Sequence, residues 1–489
     1  MNREDHIVHG FKATLVARAI FMISSALLMF VLARFLLDPD GYGALYWAIG
    51  VLTIIQLFAD LGLSRSVARY LSEYRETDPG QIPYLLKTAI TAKLVLITFA
   101  AYVLLLFHEW IANALGEPGA TPFLAAGVLY LVVTSGSTFA QVAFQGFNHL
   151  GYSAIVQAVS GAGRLLFSVA FVLAGLGALG AFFGYIVGYA ASAVIGIGIL
   201  YYGFYRQYEA ADEYEEGLSR RLLEYSVPLT ATQSANVIDK QIDIVLVGLF
   251  LNPAAVAFYT LAKQVTDFVL APAASLGFTI SPNFGEQKAA DELAEARRIY
   301  ETSLTNVLLL YIPAAVGLAI VARPFLTIIF GNDYAAAVPV LQVLTGFVVL
   351  QAITNLTSDS LDYLGRARAR AIAKGVTALS NFGLNILLIP TIGVVGAAIA
   401  TVATHSVYVA VNLYVVHTEL SLNVARLART TGLICGITGV MGVAVLLVTP
   451  MVSSLLMLFG AVTVGAVTWA VLAVLSGLVD PGQVRSVIS

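Results

Sequence analysis

Cysteine is almost missing from this sequence: Cys435 is the only one in 489 residues. A disulfide framework and a cysteine-based metal site are therefore excluded. Histidine is sparse and scattered, with His6 and His9 near the start, His108, His149 and His417 near loops, and His405 inside an apolar stretch. No HExxH occurs, and no glycine-rich phosphate loop follows a strand pattern. A metal or other cofactor is not expected. Charge is scarcest of all. Charged residues make up 11% of the chain, against roughly 25% in a soluble domain, and no basic run suggests a nucleic-acid partner. Acidic outer loops of the kind a membrane glycosyltransferase or polymerase needs are also lacking. The longest runs from about His108 to Thr121 and has Glu109 and Glu117 as its acids.

What fills the chain is apolar sequence. Hydrophobic residues account for 59% of it, and a membrane-spanning helix needs about 20 of them in a row. Fourteen such stretches predict helices near 13–37, 43–63, 84–107, 121–145, 152–175, 178–204, 226–250, 254–281, 302–322, 336–358, 371–390, 394–416, 430–449 and 451–476. The first is full length and has no small-residue cleavage site after it, so no cleavable signal peptide is expected. The loops alternate in charge. Nineteen of the 26 Lys and Arg lie in the two tails or the even-numbered loops, among them Arg65, Arg69, Arg75, Arg206, Arg220, Arg221, Arg366, Arg368 and Arg370. The positive-inside rule then places both termini in the cytoplasm. The expected fold class is an all-α polytopic membrane protein of the cell membrane, with about fourteen transmembrane helices.

An internal repeat runs at a spacing of about 214 residues. Leu32-Ala-Arg-Phe-Leu-Leu-Asp-Pro39 aligns with Leu246-Val-Gly-Leu-Phe-Leu-Asn-Pro253, and Leu150-Gly151 with Leu364-Gly365. Gly177-Ala-Leu-Gly-Ala181 follows as Gly393-Val-Val-Gly-Ala397, two residues further out of step. Six helices per half is an even number, so the repeat is parallel, related by an axis along the membrane normal. The expected layout is an N-terminal lobe over 1–205, a cytoplasmic linker over 206–225, a C-terminal lobe over 226–418 and two extra helices with a tail over 419–489. A central cavity lies between the lobes in this scheme, and the last two helices face lipid. Gly180, Gly184 and Gly188 recur every fourth residue and mark a close helix–helix face. Pro228 is expected to open the seventh helix, and Pro272 and Pro313 to interrupt the eighth and ninth.

Seven basic residues remain: Arg18, Arg34, Lys93, Arg164, Lys240, Lys263 and Arg323. A charge at the bilayer centre costs roughly 3 kcal/mol on insertion scales and is kept for a wet cavity or a partner. Arg34 and Arg323 are close enough to the outer face to snorkel. Arg18, Lys93 and Arg164 have no acid on their own helices and together would attract an anion. Lys240 and Lys263 join them as candidate substrate-binding cations. Asp239 and Asp243 on the seventh helix and Asp267 on the eighth are either packing partners of Lys240 and Lys263 or an ion-coupling site. Gln141, Gln145, Gln233, Asn236, Asn355, Asn381 and Asn385 add polar lining or interhelical glue.

Asp38-Pro-Asp-Gly-Tyr-Gly-Ala-Leu45, followed by Asp60-Leu-Gly-Leu-Ser-Arg-Ser-Val-Ala-Arg69-Tyr-Leu-Ser-Glu73, resembles the start of oligosaccharide (O-antigen-type) flippases of the multidrug/oligosaccharidyl-lipid/polysaccharide exporter superfamily. Ile238-Asp-Lys-Gln-Ile-Asp-Ile-Val-Leu-Val-Gly248 is similar to that family too. So is Leu364-Gly-Arg-Ala-Arg368 with Asn381-Phe-Gly-Leu-Asn385-Ile-Leu-Leu-Ile-Pro390, which runs on to Thr401 and is the most specific motif. The resemblance spans roughly residues 10–420. It implies a two-lobed, alternating-access transporter that moves a glycan on a polyisoprenyl phosphate or diphosphate to the outer leaflet, with membrane lipids and glycan-assembly enzymes as partners. The rival within the superfamily is a cation-coupled drug exporter, which would want acids rather than bases in the first half.

Overall fold

The computed structural model describes residues 3–215, 217–289 and 293–479. Among these, regular structure is helical throughout, and the chain is an all-α polytopic membrane protein. The helices are α1 (Arg3–Val31), α2 (Pro39–Asp60), α3 (Leu63–Thr77), α4 (Ile82–Ala114), α5 (Thr121–Gly146), α6 (Leu150–Phe171), α7 (Gly177–Gly203) and α8 (Leu218–Phe250). They continue as α9 (Pro253–Ala289), α10 (Leu293–Ile329), α11 (Val338–Tyr363), α12 (Ala367–Ile392), α13 (Val394–Leu420), α14 (Val424–Val448) and α15 (Leu455–Leu475). Each of the fourteen apolar stretches falls on its own helix. Eleven segments of the described chain are long and apolar enough to cross a membrane, one of them, Leu150–Gln207, taking in both α6 and α7. α8 and α9, which carry Asp239, Lys240, Asp243, Lys263 and Asp267, are not among these.

The helix without an apolar stretch is α3. Leu63, Val67, Tyr70, Leu71 and Tyr74 are buried along one face, while Arg65 and Arg69 are exposed on the other. It leaves α2 through two left-handed residues, Leu61 (φ 42°) and Gly62 (φ 69°). Such a corner favours glycine, and here a side chain on Gly62 would also meet the Ser226 carbonyl oxygen at 2.8 Å.

The chain forms two compact units, Met1–Ala257 and Phe258–Ser489. In the first, α6 and α7 form a hairpin packed on α1 and α5, and α8 packs on α2. In the second, α10, α11 and α13 form the centre, α12 packs on α13, and α14 and α15 pack on α10. The repeat is written into the turns. Asp38 caps α2 by accepting a hydrogen bond from the Gly41 amide at 2.9 Å, with Pro39 in the first turn. Asn252 does the same for α9, accepting from the Ala255 amide at 2.9 Å ahead of Pro253. Both are N-caps with proline at the position where a missing N–H costs nothing. Gly177 (φ 54°, ψ −145°) and Gly393 (φ 68°, ψ −153°) enter α7 and α13 with one shared backbone shape.

Two expectations about proline are corrected. α8 begins at Leu218, so Pro228 lies inside it and does not open it. α9 runs through Pro272, and α10 through Pro313 and Pro324, without a break. The segment expected as a linker is also tied down. The Ala211 amide donates to the Gly80 carbonyl at 3.0 Å, and the Gln81 side chain donates to the Glu213 carbonyl at 2.9 Å while accepting from the Glu215 amide at 3.1 Å.

Candidate functional site

Arg164 sits on α6 where the α6–α7 hairpin is tightest. A Cβ on Gly184 would fall inside the van der Waals shell of the Ser168 backbone nitrogen, and one on Gly188 would press on the Arg164 backbone. The glycine face expected from the sequence is thus what lets α7 approach. It brings Tyr185 and Tyr189, each next to a glycine of that face, onto the guanidinium. Arg164 is 9% exposed. Its Cζ lies 5.0 Å from the ring centre of Phe21 on α1 and 5.2 Å from those of Tyr185 and Tyr189. Cation–π attraction of this kind is stronger when desolvated. Its Nε donates to the Ser160 carbonyl at 3.2 Å and its Nη2 to the Ser25 hydroxyl at 3.4 Å. Tyr185 is hydrogen-bonded through its hydroxyl to that of Tyr46 on α2 at 3.0 Å, and Tyr189 meets Tyr130 on α5 edge to face. Among the described residues no carboxylate neutralises this cation; its ring of aromatic faces and hydroxyls leaves the positive charge for an anion. Arg18, exposed on α1, precedes Phe21 by three residues and Ser25 by seven, which puts all three on one helix face.

Lys93 belongs to a different arrangement. It is 4% exposed on α4 and forms an ion pair with Asp60 at the end of α2. Its Nζ also donates to the Ser64 hydroxyl at 2.9 Å, and Ser64 in turn donates to Asp60. Lys93 has no acid within its own apolar stretch, 84–107, and the acid that pairs with it, Asp60, comes from α2. On the far side of Asp60 is a polar cavity of about 160 Å³ between α2, α5 and α8, lined by Thr53, Gln56, Thr138, Thr230 and Gln233. Gln56 accepts from Thr134 at 3.0 Å. The Gln233 amide nitrogen is buried there without a hydrogen-bond partner among the described residues, an unmet donor facing a space large enough for small polar guests.

The remaining candidates lie on α8 and α9. Asp243 is buried, Asp239 half-buried and Lys240 exposed on α8, in the first unit. Lys263 is half-buried and Asp267 exposed on α9, in the second, with Lys263 lying 5.7 Å from the Tyr259 ring centre. None of the five is without a partner. The amides of the second unit do meet: Asn385 donates to Asn381 at 2.9 Å, Asn381 to Thr404 at 3.4 Å, and His405 shares a hydrogen bond with Thr354 at 3.0 Å. Sequence reasoning missed Gln56, Tyr185 and Tyr189. The repeated Gly-Tyr pair at 184–185 and 188–189 was the available signal.

Outside the spans, two carboxylates at opposite ends of the first unit have displaced ionisation. Glu215 is held below the usual carboxylate range by the Tyr74 hydroxyl, against some desolvation, and then by the Arg221 guanidinium. At the opposite end of the unit, burial and then the Asp40 carboxylate push the Glu117 carboxyl up to about 7. A further pocket, apolar and about 440 Å³, opens in the second unit between α10, α14 and α15, with Pro313, Phe325, Met441 and Trp469 in its wall.

The family described as polysaccharide biosynthesis protein matches residues 7–286, more than half of the chain, and the MatE family matches 228–387. The chain is 26% identical over 376 residues to "Probable low-salt glycan biosynthesis flippase Agl15" of Haloferax volcanii, covering 76% of this chain and 75% of that one. It is 22% identical over 369 residues to the lipopolysaccharide biosynthesis protein WzxC of Escherichia coli, covering 73% and 69%. In fold it is similar to the lipid II flippase MurJ in an inward closed conformation (TM-score 0.75, 16% identity, 99% of this chain and 100% of that one). It is also similar to an inward-facing multidrug resistance MATE family transporter (TM-score 0.68, 15% identity, 85% and 99%). This chain is a member of the polysaccharide biosynthesis protein family, built on the transporter fold that MurJ and the MATE proteins share.

Proposed function

We propose that this protein is a flippase that carries a polyprenyl-(di)phosphate-linked oligosaccharide from the cytoplasmic to the outer leaflet of the cell membrane, for assembly of surface polysaccharide or glycoprotein. The observation that carries the reading is Arg164, a buried guanidinium with an aromatic and hydroxyl surround and no carboxylate. A phosphate linkage cannot cross hydrocarbon without something replacing its water, and a guanidinium in a low-dielectric setting does so in a fork of donors matched to phosphate oxygens. The aromatic rings around it offer faces on which sugar rings stack. The names of the relatives, glycan and lipopolysaccharide biosynthesis, support the same substrate class. In this reading Arg18 extends the anion path along α1, and the apolar pocket walled by Phe325, Met441 and Trp469 takes polyprenyl chain. The arginine-rich connections and both termini face the cytoplasm, and lobes 1–205 and 226–418 alternate access. Asp239, Asp243 and Asp267 remain candidates for ion coupling, with Lys240 and Lys263 as secondary anion contacts. Glycan-assembly enzymes act before and after it. With the cytoplasm negative, the membrane potential favours outward movement of an anion by about 2.3 kcal/mol per charge per 100 mV.

Deleting the gene and measuring polyprenyl-linked glycans and surface polysaccharide by mass spectrometry tests this. The expected result is accumulation of lipid-linked glycan with loss of the surface product, restored by the wild-type gene and not by Arg164→Gln. Unchanged glycans with new sensitivity to cationic drugs would replace the flippase reading with the exporter that the MatE match allows.

A further inference from the structure

A second pocket in the first unit belongs to neither the Arg164 surround nor the Asp60 cavity. It measures about 520 Å³ and lies at the end of the unit that carries α3, between α4, the 205–214 segment and the start of α8. Its polar wall includes Tyr84, Lys87, Thr88, Thr91, Tyr214 and Ser219, and among the described residues no carboxylate lines it. Tyr84 and Tyr214 stack with ring centres 4.5 Å apart and planes 22° apart, which fixes the 205–214 segment against α4. The nearest linker acid past Tyr214, Glu215, is already taken by Tyr74 and Arg221. Lys87 is an exposed cation on the wall of this recess, and among the described residues it has no ion-pair partner.

The same face of α4 continues away from the pocket as an apolar stripe. Lys87, Thr91, Leu94 and Val95 stand at helical spacings of four, seven and eight, and Leu94 and Val95 are 59% and 65% exposed. Phe99 and Tyr102 extend the exposed surface toward the other end of the helix. A cation and hydroxyls at the interface with an apolar track leading from them into the bilayer match an amphiphile: an anionic head at Lys87 and a hydrocarbon chain along α4. We infer that this pocket binds one phosphate-headed lipid of the leaflet at that end, with Lys87 on the phosphate and Tyr84 and Tyr214 walling the headgroup. Because two of its walls are the segment between α7 and α8, the bound lipid braces that segment. The flippase reading rests on Arg164 and not on this pocket, so failure of the lipid site would leave that reading where it stands.

Delipidated full-length protein, titrated and read by native mass spectrometry, tests it. The probes are phosphatidylglycerol, phosphatidylcholine, undecaprenyl phosphate and inorganic phosphate. One phosphate-headed lipid, phosphatidylglycerol or undecaprenyl phosphate, is expected to bind at least about fivefold more tightly than phosphatidylcholine, the scale of one basic residue acting on an anionic lipid. Lys87→Gln should abolish that preference and Lys87→Arg keep it. Arg65→Gln, an exposed cation on α3 at the same end, should leave it unchanged. Whichever of the two lipids shows the Lys87 dependence identifies the source. Equal loss in Arg65→Gln, no loss in Lys87→Gln, or Lys87-dependent binding of inorganic phosphate alone would overturn the assignment.

Discussion

Breaking the Lys93–Asp60 pair leaves a charge of one sign inside a helix bundle. Lys93→Met strands Asp60 and its Ser64 contact; removing one partner of a buried pair costs roughly 3–5 kcal/mol, and the lower end applies here because Asp60 borders a polar cavity. Thermal unfolding in detergent should drop accordingly, and the double change Lys93→Met with Asp60→Leu should recover most of the loss. If the double variant is no better than the single one, the pair is not what makes Lys93 costly to replace. Arg164→Gln should behave in the opposite sense: it removes an uncompensated buried cation, so stability holds or rises while transport is lost. Glu117 gives a pH signature. The unfolded carboxyl ionises near its ordinary value of 4.5, whereas the folded one keeps its proton up to about 7. Between those values the folded state binds more protons, so stability falls as pH rises through that window and is level above it. Glu117→Gln should flatten the melting temperature across the window and raise it at pH 8, with little change at pH 4. A variant that keeps the wild-type slope would assign the titration to another group.

At the scale of helices, α6 and α7 depend on two glycines that a side chain would push apart. Gly184→Val puts bulk against the Ser168 backbone, while Gly198 on the same helix has nothing within 4 Å of an added Cβ. Overpacking of this sort costs about 1–3 kcal/mol or more, so Gly184→Val should lower the melting temperature and carry Tyr185 and Tyr189 off Arg164, and Gly198→Val should be silent. Equal effects would mean that helix propensity rather than close approach is being measured. Helices of this kind were legible in the sequence because one physical requirement, some 20 apolar residues in a row, dominates all others. α3 was not, since it has a buried stripe of only five residues, its arginines dilute the apolar signal, and its partners Gly146 and Phe147 are remote in sequence. The start of α8 was missed for the same reason: in Leu218–Glu224 only Leu218 and Leu222 are buried in the core, and Arg220, Arg221 and Glu224 dilute the apolar signal while Arg221 pairs with Glu73 and Glu215.

For the whole molecule, the repeat carried more information than any single charge. Its matched ends reappear as matched caps at Asp38 and Asn252 and matched left-handed entries at Gly177 and Gly393. Site chemistry did not repeat with it. The α6–α7 seam holds Arg164 among tyrosines, while the corresponding α12–α13 seam holds Asn381, Asn385 and Thr404. Sequence could place Arg164 at mid-helix, but only contacts between α1, α6 and α7 separate it from Lys93, whose partner comes from the preceding span. A parallel repeat makes a demand that an inverted one does not: equivalent turns must face the same side of the membrane. Cys435 is exposed and is the sole thiol, so Cys435→Ser supplies a background in which one introduced cysteine reports its side. Asp40→Cys at the start of α2 and Ala254→Cys at the start of α9 should both react with a membrane-impermeant maleimide in intact cells. Glu76→Cys at the end of α3 and Glu209→Cys between α7 and α8 should react only after permeabilisation, because arginine-rich connections stay on the cytoplasmic side. Labelling of Asp40→Cys and Ala254→Cys from opposite sides would make the halves inverted. Labelling of both only after permeabilisation would keep the parallel repeat and reverse the whole molecule, placing the Lys87 pocket in the outer leaflet and the Glu117 carboxyl in the cytoplasm.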